Sequence, residues 1–264
     1  MTDSGIIKIK GVVTRAVQYK ENDKILTVLT AEQGLISVYC HGARSNKSKY
    51  LTSTRLFCYS EFVLTKKRDF YYVKEADYIE AFFDIVNDMD KLFLGQYFLE
   101  VANEVCVEGD RQDGMLRLLL NSLYAISAGL YPLWKIKCVF EMRTCVEAGV
   151  GPDLSGCRKC GNEKAEMYYF DVVSGEVTCR ECLLSAADNG MNEDIAHSSG
   201  SYLAVTPSIA VAVRYIESAR LERVFAFTLS DESAEGLSAL CEKFLLNQVG
   251  KSFVTLDMYK GQIK

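Results

Sequence analysis

Apolar and polar positions change their period once along this chain. Up to about residue 77 they come in short β-branched runs. Ile7, Ile9, Val12 and Val13 lie in the first, Lys24–Thr30 and Gly34–Cys40 form the next two, and Leu56–Lys66 and Phe70–Lys74 follow. The joints Glu21-Asn22-Asp23, Glu32-Gln33-Gly34 and Lys67-Arg68-Asp69 are turn-like. Five short strands in so few residues predict a small closed barrel. The five-stranded OB-fold is the first choice and an SH3-like barrel the alternative.

After Asp84 the period becomes helical. Leu94, Phe98, Val101 and Val105 share one face, and Met115, Leu118, Leu119, Leu123 and Ile126 define a second helix ended by Gly129 and Pro132. Ile136, Val139, Phe140 and Val146 define a third, stopped at Gly149-Val150-Gly151-Pro152. Thr206-Pro207 opens a helix with a cap residue and proline at the first helical position, and Ser230-Asp231 opens the last. Residues 187–202 are polar and predict a loop. The expected fold class is therefore α+β, with an N-terminal OB-fold barrel over 1–80 and a helical bundle over 81–264. A cysteine module at about 152–185 is inserted in that bundle.

That module rests on Cys157-x-x-Cys160, eighteen intervening residues, and Cys179-x-x-Cys182. Paired thiols at this spacing predict a tetrahedral four-thiolate zinc site, one ion per chain. Gly161 suits the knuckle after the first pair because such turns need positive φ. Strands over Ala165–Asp171 and Glu176–Thr178, turning at Ser174-Gly175, should connect the pairs. A closed sulfur shell leaves no position for water or substrate, so the metal is expected to hold structure. A redox CxxC pair fits less well, since neither pair begins a βα unit.

Charge changes the picture more than composition does. The chain carries a net −5, yet residues 1–75 hold thirteen Lys/Arg against seven Asp/Glu, a local +6, and the remainder is −11. A basic front on an acidic body is the asymmetry of a domain that meets a polyanion. Arg44, Lys47 and Lys49 crowd a loop of small polar residues, and Lys66, Lys67 and Arg68 cap the next hairpin. Tyr39, Tyr50, Phe57, Tyr59, Phe62, Phe70, Tyr71 and Tyr72 interleave with them, divided between barrel core and rings open to bases. The two histidines, His41 and His197, fall in no catalytic spacing, so an enzyme is not expected. The Gly42–Lys49 segment lacks the second glycine of a phosphate loop. No basic-then-apolar leader opens the chain, and Leu118–Trp134 is broken by Asn121, Gly129 and Pro132, which argues against a membrane span.

With these residues assembled, the chain resembles the bacterial recombination mediator RecO family. The likeness runs from Gly11-Val12-Val13 through Gly42-Ala43-Arg44-Ser45 and Lys47-Ser48-Lys49. It continues through Phe140-Glu141-Met142-Arg143, Pro152-Asp153-Leu154, Cys157 and Cys160-Gly161, and ends at Val249-Gly250-Lys251. His41 departs from it, standing where a lysine is common. The resemblance implies DNA repair and recombination in the bacterial cytoplasm, at the nucleoid. It implies binding of single- and double-stranded DNA, annealing of complementary strands, and contact with the tail of single-stranded-DNA-binding protein. Partnership with RecR in loading RecA belongs to the same picture. Lys135, Lys137 and Arg143, beside Trp134 and Phe140, are candidates for the acidic tail. A zinc-ribbon transcription or RNA-processing factor, or a metal-assisted nuclease, is the competing class.

Overall fold

The computed structural model describes residues 5–67, 70–188 and 202–261. Strands β1 (Ile6–Tyr19), β2 (Asp23–Thr30), β3 (Gly34–Cys40), β4 (Cys58–Lys67) and β5 (Phe70–Ala81) close into a barrel in the order β1-β2-β3-β5-β4. Every pairing is antiparallel except β3 with β5, which run parallel through Val38–Tyr71 and Tyr39–Tyr72. This is the five-stranded closure expected of an OB-fold. Strict alternation sorts the side chains. On β3, Ile36, Val38 and Cys40 face inward while Leu35, Ser37 and Tyr39 are partly exposed. Val13, Leu26, Val28, Phe62 and Leu64 complete the barrel core.

The described residues group into two compact units, residues 1–130 with 253–264, and residues 131–252. In the first unit the barrel is joined by α1 (Met89–Val105), α2 (Asp113–Ala128) and α7 (Val254–Tyr259). Asp88 caps α1 by accepting from the Lys91 N–H, and Gly129 ends α2 in the left-handed region. Helix α7 docks on α1 through a Tyr97–Phe253 edge contact at 5.4 Å and a 2.8 Å hydrogen bond from Thr255 to Glu100. The barrel is fastened to these helices at its β2–β3 turn. Gly109 donates to the Gln33 carbonyl at 3.0 Å and Gln112 to that of Ala31 at 2.8 Å. Gly34, at φ +59, lies so close that a Cβ there would meet the Val107 carbonyl at 2.0 Å. Only glycine fits this joint.

The second unit contains α3 (Leu133–Glu147), β6 (Tyr168–Asp171), β7 (Glu176–Cys179), α4 (Arg180–Asp188), β8 (Tyr202–Val205), α5 (Pro207–Ser218) and α6 (Asp231–Val249). Thr206 and Ser230 cap α5 and α6 through their side-chain oxygens, as their sequence positions predict. The three strands form a sheet in the order β7-β6-β8. Phe170 of β6 meets Phe244 of α6 edge-on at 5.3 Å. Most of the expected loop over 187–202, His197 included, lies outside the described residues. At its edges α4 runs to Asp188 and β8 begins at Tyr202. Among the described residues, no helix is long and apolar enough to cross a membrane.

Two of the basic residues expected at a partner surface have their charge consumed inside this unit. Lys137 is 2% exposed and pairs with Glu141 at 2.9 Å and Glu242 at 2.8 Å. Burial alone would push its pKa down, but the two carboxylates override this and raise it. Arg143 donates to the Glu217 carbonyl at 2.6 Å, at the C-terminal end of α5, and pairs with Glu147 at 3.1 Å. A cation there answers the unpaired carbonyls and the negative end of the helix dipole. Both positions are corrected from docking residues to structural ones.

Lys137→Ala would leave Glu141 buried without its cation, and breaking such a pair costs on the order of 3–5 kcal/mol. Thermal or denaturant unfolding should show that loss. A melting curve unchanged by the substitution would contradict a structural role for Lys137.

Candidate nucleic-acid interface and metal centre

The β1–β2 turn stands at the end of β2 opposite the helix joint. Asp23 and Thr30 are seven strand steps apart, roughly 24 Å at the usual rise. Beside this turn run the first residues after β3, because Lys24 pairs with Cys40. Strand β5 reaches the same end as it runs on from Tyr72, which pairs with Tyr39, while its first residues face the helix joint, where the Tyr71 hydroxyl donates to Gln33 at 2.6 Å. The chain therefore brings three separate basic segments together.

Asp23 holds the first two. Its carboxylate is buried, and it accepts from the Tyr39 hydroxyl, the Gly42 N–H at 2.9 Å and His41 Nδ1 at 2.8 Å. The Tyr39 hydroxyl, then the Gly42 amide, lower the Asp23 pKa, and the same contact pushes the Tyr39 phenol up to about 12. Arg44 closes the junction from the other side. Its N–H donates to the Asn22 carbonyl at 3.0 Å, and its guanidinium to the carbonyls of Glu21 at 2.8 Å and Lys20 at 3.4 Å. Arg44 thus braces the loop as well as contributing charge to it.

The other predicted cations among the described residues are exposed. Lys47 and Lys49 lie on the 41–57 segment, and Lys66 and Lys67 at the end of β4. Lys49 sits 5.1 Å from the Tyr50 ring centre, Lys66 5.1 Å from Tyr71 and Lys67 5.4 Å from Tyr72. The Tyr50 hydroxyl donates to the Lys74 carbonyl at 2.7 Å, which ties the Lys49 region to β5. Arg68 lies outside the described residues. Of the interleaved aromatics, Phe57, Phe62 and Tyr71 are buried, while Tyr39, Tyr50, Tyr59, Phe70 and Tyr72 keep open surface.

Sequence reasoning missed three residues here. Lys20, in the left-handed region at φ 52, lies 5.5 Å from the exposed ring of Tyr19. Lys74 joins from β5, and Asp23 was visible only as a turn residue. The turn itself was legible, but its pairing across to Tyr39 and Gly42 is a tertiary contact that no local pattern announces.

The four cysteines of the second unit also converge, with all four sulfurs within 4.8 Å of one another. Cys157 and Cys160 flank a knuckle closed by the Gly161 N–H donating to the Cys157 carbonyl at 2.8 Å, with Gly161 at φ 71. Cys179 ends β7 and Cys182 lies in the first turn of α4. A tetrahedron of sulfurs at the usual zinc–thiolate distance has edges of roughly 3.8 Å, and Cys160 and Cys179 stand 3.7 Å apart. Burial pushes the Cys157 thiol up, but N–H groups of Cys179, Cys160 and Lys159 bring it down to about 6. The quartet can hold a metal ion. Lys135, the third proposed partner residue, donates to the Phe227 carbonyl at 2.8 Å and lies over the Phe227 and Trp134 rings.

Residues 1–82 match the family model described as "Recombination protein O N terminal", and residues 86–257 match "Recombination protein O C terminal". A protein named DNA repair protein RecO from Acetivibrio thermocellus is 32% identical over 254 residues, 96% of each chain. One of the same name from Caldicellulosiruptor saccharolyticus is 33% identical over 67% of this chain and 72% of its own. Another from Clostridium acetobutylicum is 25% identical over 96% of each. The chain belongs to the recombination protein O family.

Proposed function

We propose that this protein is a DNA repair and recombination mediator that grips single- and double-stranded DNA by the turn end of its barrel. The observation that carries the reading is the convergence of Lys20 and the Arg44–Lys49 loop on that end, with Lys67 reaching it over the Tyr72 ring. OB-folds use these loops and the adjoining strand face for oligonucleotides. Phosphate contacts supply affinity without reading sequence, which suits a protein acting on any damaged site. Annealing of complementary strands follows if two chains of opposite sequence are held with their charge neutralised. Family membership supports the further reading that the protein works with RecR to load RecA onto strands coated by single-stranded-DNA-binding protein. Its role is to bind and hand over strands, with no bond-making step of its own.

Replacing Lys47 and Lys49 together with Ala should weaken binding to all sequences alike. It should also flatten the dependence of log affinity on log salt by about 0.7 per lost contact on single strands. The same variant should anneal complementary oligonucleotides more slowly without ATP. An unchanged salt slope, or a wild-type protein that fails to accelerate annealing, would count against the reading.

Zinc is the ion that the quartet fits. Cys157, Cys160, Cys179 and Cys182 would hold it, pinning α4 to the β6–β7 hairpin. Sites of this kind contribute about 10–16 kcal/mol to the folding around them. Elemental analysis should return one zinc per chain, and Cys179→Ala should lower both zinc content and melting temperature. A metal-free protein of undiminished stability would overturn the structural role.

The acidic, apolar tail of single-stranded-DNA-binding protein is assigned to a groove of about 770 Å³ between α5 and the start of α6. Pro207, Val211, Tyr215, Phe227 and Leu229 line it. Val211 is 57% exposed there, and Lys135 holds its charge against the Phe227 ring. Apolar walls beside one cation are complementary to such a peptide. Lys135→Glu should abolish binding of the isolated tail peptide while DNA affinity persists, and a retained peptide affinity would remove the groove.

A further inference from the structure

Three tyrosines on the outer face of the barrel form a continuous ladder that crosses strands. Tyr19 at the end of β1 meets Tyr39 of β3 edge-on, with ring centres 5.7 Å apart and planes at 80°. Tyr39 meets Tyr72 of β5 at 5.4 Å and 53°, in the parallel seam where the two residues are paired. Alternation along β3 and β5 turns Tyr39 and Tyr72 away from the core, while their neighbours Val38 and Tyr71 are buried. Tyr19 is 42% exposed. The middle ring is fixed by its hydroxyl, which donates to the buried Asp23 carboxylate. Each outer ring carries a lysine over it, Lys20 at 5.5 Å and Lys67 at 5.4 Å.

From this arrangement we infer that Tyr19 and Tyr72 are base-stacking surfaces that take the unpaired bases of single-stranded nucleic acid, with Tyr39 as the fixed spacer between them. The inference rests on the proposed DNA grip and deepens it by separating what both forms of DNA touch from what only one can reach. A duplex presents phosphates at its surface but keeps its base faces inside the stack. The lysines serve either form. The rings serve only strands whose bases are free.

The lysines also make the rings conditional. Without DNA, each outer ring has an ammonium over it, a weak contact at an exposed site. A phosphate draws that ammonium away, and the vacated π-face is then open to the adjacent base. Base–aromatic stacking is the stronger of the two contacts, so the exchange runs toward bound strand. Charge neutralisation and base capture become one event, and a strand so held has its pairing edges clear of the ring faces. Because stacking releases no counterions, the ladder should add affinity without adding salt dependence.

The test is an equilibrium titration of the full-length chain with labelled oligothymidine and, separately, with a hairpin duplex, each at several salt concentrations. Tyr19→Ala and Tyr72→Ala should each weaken oligothymidine binding about tenfold, leave duplex affinity in place and keep the salt slope of the parent. Tyr19→Phe and Tyr72→Phe, which retain the ring, should restore binding. Equal losses on both forms of DNA, or no loss on oligothymidine while the Lys47/Lys49 variant still flattens the salt slope, would sink the ladder and leave the cationic grip standing. A Lys47/Lys49 variant with an unaltered slope would remove the grip itself and the ladder with it. Melting curves matching the parent show that any loss is one of contact and not of fold.

Discussion

A buried carboxylate with three donors around it shapes the end of the barrel on which the rest depends. Leaving Asp23 charged and out of water is costly unless hydrogen bonds replace its hydration. Those bonds come from Tyr39 on β3, from the Gly42 amide beyond it and from His41. Satisfying one anion therefore fixes where the β1–β2 turn stands against the segment that follows β3. It also fixes the Tyr39 ring and the direction in which residues 44–49 leave the barrel. His41 is 86% exposed, so its imidazole closes the outer side of the junction without being buried. The basic loop is held by an acid.

The two units treat their cations differently. On the barrel, Lys47 is exposed, and Lys49, Lys66 and Lys67 are exposed and rest over tyrosine rings, contacts loose enough to exchange for a phosphate. In the second unit, basic side chains hold the fold together. Lys137 neutralises Glu141 and Glu242, Arg143 caps α5, and Arg158 pairs with Glu176 at 3.1 Å across the cysteine module. Arg214 donates to the Leu154 carbonyl at 3.0 Å, next to the first cysteine pair. A count of charges by segment points to the barrel as the polyanion-binding part. It cannot say which charges elsewhere are already committed.

That difference marks where the sequence was legible. Strand alternation, the caps Thr206 and Ser230, and the positive φ of Gly161 are local properties, set by sterics and by side chains within a few residues. The cysteine spacing carried its meaning for the same reason, since each pair needs only one turn to aim two sulfurs. Lys137 was misread because a basic residue beside apolar ones looks like a snorkelling surface lysine. Only the meeting of α3 with α6, which brings Glu242 to it, shows otherwise. The inclusion of α1, α2 and α7 in the barrel's unit depends on the Gly34–Val107 approach and on the Tyr97–Phe253 contact. Both join residues far apart in sequence.

The first unit also explains how an acidic chain can present a basic tip. Its helix joint carries Glu32, Glu108, Asp110 and Asp113 around the β2–β3 turn, whereas Lys20 and the Arg44–Lys49 loop lie at the other end of β2. The separation of roughly 24 Å along the strand is about three Debye lengths at physiological ionic strength. Over that span the two groups of charge do not cancel, so an approaching polyanion meets the local cations and not the net charge. Under the proposed DNA grip, separation along a rigid strand, more than the number of basic residues, would let this end attract phosphate while the whole chain stays negative.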